Sequence, residues 1–99
     1  MYTMFIVNLT YKASFDIVEP HLEAHMAFVN KQYESGIFLA SGKKIPRTGG
    51  VILSGVENRE TLNNIMMQDP FILHGVADFE ITEFVISRVS EHLKTTFSL

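Results

Sequence analysis

The chain contains no cysteine. That absence removes disulfides, thiolate nucleophiles and cysteine metal sites together, and it fits a reducing cytoplasm, the expected location. Long apolar runs are missing as well. Stretches such as Met4–Val7 and Ile37–Ala40 fall far short of the ~20 residues that a spanning helix requires, so no membrane role is expected. Met1–Leu9 has neither a basic start nor a cleavage site and reads as a strand rather than a signal peptide. Basic charge is sparse: eight Lys and Arg stand against eleven Asp and Glu, with a net charge of −3. A nucleic-acid surface needs a basic stripe to neutralise phosphates, and none is present. Repeats, low-complexity tracts and linkers are also lacking.

What the chain does have is apolar content. Hydrophobic residues make up 46% of its 99 positions, with eight Phe and three Tyr. A chain this short buries only about 60–70% of its unfolded surface, so a further interface would help stabilise it. One domain over residues 1–99, with 90–99 as a tail and a second copy as partner, is therefore expected.

Tyr2–Leu9, rich in β-branched and aromatic side chains, reads as a first strand buried on both faces, and 8–14 as its exit loop. Ser14, Asp16 or Glu19 can cap the next helix, with Pro20 tolerated in its first turn. Val18, Leu22, His25, Met26, Val29 and Tyr33 then recur at helical spacing until Ser35-Gly36 supplies the stop. Ile37–Ser41 reads as the second strand, 42–50 as a basic, mobile loop, and Gly49–Val56 as the third strand. Asn58 caps a second helix over Arg59–Gln68, which Asp69-Pro70 ends. Residues 71–76 read as a connector and Asp78–Val89 as a long fourth strand. The tail carries apolar Leu93, Phe97 and Leu99.

This order is that of the ferredoxin-like βαββαβ fold, an α+β class with an antiparallel sheet and two helices on one face. The other face is left bare. Phe5, Val7, Leu39, Val51, Leu53 and Phe84 are its expected interface residues, covered by a second copy, with the end of the fourth strand pairing with that partner.

Two histidines, His21 and His25, sit four apart on the first helix, about 40° from one another around its axis. The spacing can ligate a metal, but Glu23 lies one place away from the zinc-peptidase H-E-x-x-H arrangement, and no third ligand has supporting spacing. No metal and no cofactor are expected. His25 lies on the apolar stripe. Its plain reading is a half-buried imidazole satisfied by a carbonyl or carboxylate, and its chemical reading is a general acid/base. Asp69 is in the plain reading a helix stop with an Asx turn into Pro70-Phe71. Alternatively, since both helices lie side by side, it reaches His25 and orients the ring. Lys43, Lys44 and Arg47 form the only local cationic cluster, either a solvated loop or a lid that draws in a carboxylated substrate.

His25-Met26-Ala27-Phe28 running to Glu34-Ser35-Gly36, Ile37-Phe38-Leu39-Ala40-Ser41-Gly42, Gly49-Gly50-Val51-Ile52, and Asp69-Pro70-Phe71 followed by Gly75-Val76 together resemble the YCII-related (YciI-like) family. The resemblance implies a ferredoxin-like domain that dimerises into an α/β barrel, with His25 and Asp69 as a catalytic pair. Ser41 and Phe71, inside the matched motifs, are expected to contact substrate beside Lys43 and Arg47. It further implies a cofactor-independent lyase or isomerase of dehydrochlorinase or muconolactone-isomerase type acting on a small anionic substrate. The alternative is a non-catalytic dimeric module that holds a small ligand. Many relatives carry Gly-Pro where this chain has Gly42-Lys43, so the loop here is more basic than the pattern.

Overall fold

A computed structural model describes residues 2–97 of the chain. Its elements run β1 (Tyr2–Tyr11), α1 (Phe15–Val18), a 3-10 turn (Glu19–His21), α2 (Leu22–Glu34), β2 (Phe38–Lys43), β3 (Gly49–Ser54), α3 (Arg59–Met66), α4 (Pro70–Leu73), β4 (Ala77–Ile86), a second 3-10 turn (Glu91–Leu93) and α5 (Lys94–Phe97). The four strands form one antiparallel sheet in the order β2-β3-β1-β4, the expected split βαβ arrangement. No helix among the described residues is long and apolar enough to cross a membrane.

The sheet's two faces follow from the period-two alternation of β1. Phe5, Val7 and Leu9 point to the helices and join Ile52 of β3 and Ile81 of β4 beneath Val29, Leu62 and Met66. A second cluster, Val18, Phe71, Val76 and Ala77, closes the end where α1 and α4 meet. Ile6 and Asn8 fall on the opposite parity with Val51, Leu53, Thr82 and Phe84 through the strand register. Phe5 and Val7 are thus fully buried under the helices, not on the open face where the interface expectation put them. At one end of the open face Met4 and Ile86 are nonetheless buried. There α5 folds back so that Phe97 meets Tyr2 edge-on at 5.4 Å. Leu99 lies outside the described residues.

Other boundaries also differ, each for a local reason. β1 continues to Tyr11 because Asn8 and Thr10, which look like loop residues, occupy the open face while every second residue stays inside. The first helix is broken: Pro20 sits in a 3-10 turn between two α segments, and Ser14 caps α1 through its carbonyl rather than its hydroxyl. The region expected as a connector contains α4, with Pro70 at its start. β4 stops at Ile86 and pairs with β1 along its whole length, so it has no overhang for a partner strand. The loop expected over 42–50 shrinks to the five residues between Lys43 and Gly49 and is fastened at its base: Tyr11 N–H donates to Thr48 O at 2.8 Å and Lys44 N–H to Gly49 O at 3.0 Å. Asn58 does cap α3, accepting from Thr61 N–H at 2.8 Å.

Candidate functional site

The site begins with the way α3 gives way to α4. Asp69 adopts an extended backbone, as the residue before a proline must, and its side chain turns back to accept the N–H of Phe71 at 3.0 Å. This Asx turn fixes the carboxylate inside the protein, where it is completely buried. The same oxygen, Oδ1, lies 2.8 Å from His25 Nδ1, within hydrogen-bond distance. Asp69 Oδ2 is also buried and has no hydrogen-bond partner among the described residues.

His25 stands in the first turn of α2 with only 9% of its surface exposed. Its ring lies flat on Phe71, 3.9 Å between centroids and 8° between planes. Carboxylate and stacking partner therefore come from one short segment, and together they fix the position and rotation of the imidazole. With Nδ1 engaged, Nε2 is the ring nitrogen left for chemistry. Phe71 is held in turn by Tyr11, edge-on at 5.8 Å.

His25 and Phe71 form part of the wall of a cavity of about 350 Å³ between α2 and the β2–β3 hairpin. The wall is mostly apolar, with Leu9, Val29 and Ile52 among its residues, and it contains no aspartate or glutamate. Three glycines, Gly42, Gly49 and Gly50, complete the hairpin side. At Gly49 a Cβ would stand 1.8 Å from the carbonyl oxygen of Leu9, so only glycine lets β3 begin this close to β1.

Lys43, Arg47 and Ser41 line the same cavity as His25 and Phe71, while Asp69 lies behind His25, outside the wall. Ser41 Oγ is 2.6 Å from the hydroxyl of Tyr33. Arg47 rests its guanidinium over the ring of Phe15, 4.2 Å from its centroid. Lys44 is turned elsewhere and donates to Thr10 Oγ1 at 3.2 Å. His21 does not join His25: it stacks on His74 at 4.2 Å and 20°. Among the described residues no three His, Asp or Glu side chains are grouped to hold a metal ion.

Sequence reasoning missed Tyr11, Phe15 and Tyr33 as parts of this site. Tyr11 was legible in principle, because the inward alternation Phe5, Val7, Leu9 reaches it two residues later. Nothing local signals that Phe15 lies under Arg47 or that Tyr33 reaches Ser41.

Comparison with known proteins agrees with this architecture. No curated protein matches the sequence significantly. Among solved structures, 5-chloro-2-hydroxyhydroquinone dehydrochlorinase (TftG) from Burkholderia phenoliruptrix AC1100, in complex with 2,5-dihydroxybenzoquinone, superposes with a TM-score of 0.69 at 14% identity, over 91% of this chain and 97% of that one. SnoaB, a cofactor-independent oxygenase from Streptomyces nogalater, matches with a TM-score of 0.51 at 13% identity, over 90% and 96%. At such identities the likeness establishes a common fold. The family model of the YCII-related domain matches residues 1–85, and the chain belongs to that family.

Proposed function

We propose that the protein is a small-molecule enzyme of lyase or isomerase type, cofactor-independent, in which His25 moves a proton and Asp69 orients it. The observation that carries this reading is the 2.8 Å bond from His25 Nδ1 to a fully buried carboxylate, with the imidazole in a cavity wall. A buried carboxylate on Nδ1 leaves Nε2 unprotonated and stabilises the imidazolium that forms once Nε2 accepts a proton. The substrate would present a C–H next to a carbonyl. Nε2 takes the proton and the C–H electron pair moves toward the carbonyl oxygen as an enolate. Returning the proton at a different carbon completes an isomerisation. Loss of a leaving group such as chloride from the adjacent carbon completes an elimination. Neither outcome requires a nucleophile or a metal. Lys43 and Arg47 attract an anionic substrate, and Ser41 and Phe71 contact it.

The quinone in the TftG structure suggests a starting panel of hydroxyquinones, chlorinated hydroquinones and unsaturated lactone acids. In deuterated buffer the protein should catalyse C–H exchange in at least one of them, followed by NMR, and His25→Gln should reduce the rate about 10²–10⁴-fold. Stable binding of such compounds with no exchange above background would contradict the catalytic reading and leave a ligand-binding module.

The same proposal includes a homodimer formed through the open sheet face, where Leu39 and Phe84 remain 43% and 41% exposed. Light scattering at micromolar concentration should return twice the chain mass. A monomer mass would contradict it.

A further inference from the structure

The cavity wall carries two cations, Lys43 and Arg47, and no acidic side chain. Among the described residues neither cation takes part in an ion pair, although the chain as a whole has a net charge of −3. Arg47 is not loose, however. Its guanidinium lies over the ring of Phe15, 4.2 Å from the centroid, and Phe15 stands against Tyr11 at 6.2 Å. Tyr11 meets Phe71, which carries His25. The arginine and the imidazole are thus set by one continuous train of rings that starts in α1 and ends at Asp69.

We infer that Phe15 and Arg47 form a preorganised receptor for the carboxylate of a planar, otherwise apolar acid, with Phe15 as a positioning residue that acts through Arg47. This rests on the proposed use of the cavity for a small substrate and names its chemical class. The contact with Phe15 is made by the guanidinium carbon, and among the described residues no hydrogen bond or ion pair takes up the N–H donors on the guanidinium's edge. That edge matches a carboxylate in two parallel hydrogen bonds. A phosphate shares the anionic charge but calls for more donors than one fork and one lysine supply, while the rest of the wall is largely apolar. Lys43, a point charge on a flexible stem, adds attraction without direction. Fixing Arg47 in advance removes part of the ordering cost that a free arginine would pay on binding.

The test uses the full chain and three probes of similar shape, benzoate, phenyl phosphate and benzamide, titrated by NMR at millimolar concentrations. Benzoate should shift resonances of the cavity residues and bind more tightly than either of the others. Arg47→Met should weaken benzoate by roughly 10- to 100-fold, as expected for losing charge-assisted hydrogen bonds. Phe15→Leu should weaken it about threefold to fivefold, the scale of an exposed cation–π contact, and Phe15→Tyr should restore it. Benzamide binding should be indifferent to all three changes. Arg47→Lys should not rescue, because it keeps the charge and loses the fork. Equal affinity for benzoate and benzamide, preference for phenyl phosphate, no binding of benzoate, or a Phe15→Leu variant that melts like the parent and binds benzoate equally well would each overturn the inference. His25→Gln separates the two proposals: it should slow proton exchange about 10²–10⁴-fold while the preference for benzoate over benzamide persists. Loss of exchange with selective benzoate binding intact would support both. Selective binding without any exchange in the parent would remove only the catalytic reading.

Discussion

His21 and His25 lie one helical turn apart, and each lays its ring on a second ring contributed by the segment around α4. His21 meets His74 at 4.2 Å, and His25 meets Phe71 at 3.9 Å. The two stacks look alike, yet the residues differ in surroundings. His25 is buried, faces the cavity and holds a buried carboxylate on Nδ1. His21 is only partly buried, and its stacking partner His74 is exposed. Stacking alone therefore does not make a site. What distinguishes His25 is the Asx turn at Asp69, which commits one carboxylate oxygen to both the backbone of α4 and the imidazole of α2. Helix junction and candidate acid/base are built from the same atom.

Removing that atom should have the largest effect. Asp69→Ala loses the bonds to His25 and to Phe71 N–H, offset in part by removing the buried, unpartnered Oδ2, and should cost about 2–3 kcal/mol in urea unfolding. Phe71→Leu keeps apolar bulk but loses both ring contacts, and should cost about 1–1.5 kcal/mol. For a domain of this size that lowers the melting temperature by roughly 4–10 °C. His21→Gln breaks the comparison from the other side. It should change stability by less than about 0.5 kcal/mol and leave C–H exchange untouched. If His21→Gln matched Asp69→Ala in either readout, the two stacks would be equivalent and the distinction drawn between them would fail.

The scaffold beneath this contrast was legible in the sequence. The alternation of β3 and β4, the periodic stripe of α2, the Asn58 cap and the Asx turn at Asp69 are all local patterns. They place the two helices on one side of an antiparallel sheet, which is enough to bring α2 and the end of α3 together. The rest depended on contacts between residues distant in sequence. Phe97 on Tyr2, Arg47 on Phe15 and the flat seating of His25 on Phe71 leave no periodic trace. The broken start of the first helix was misread because Pro20 is compatible with a first helical turn and with the 3-10 turn it occupies. Phe5 and Val7 were assigned to the wrong face because a strand rich in apolar residues at both parities does not declare which side faces the helices. Only the register with Ile52 and Ile81 decides it.

Everything proposed for His25 depends on Asp69 holding the proton on Nδ1 and leaving Nε2 free. Long-range ¹H–¹⁵N correlation spectra of the imidazoles read this directly at a pH where the rings are neutral. His25 should show the Nδ1–H tautomer in the parent protein and lose that bias in Asp69→Ala, which removes the acceptor, while His21 should not respond to the substitution. A His25 in the Nε2–H tautomer in the parent protein, or one whose tautomer is unchanged by Asp69→Ala, would contradict the account.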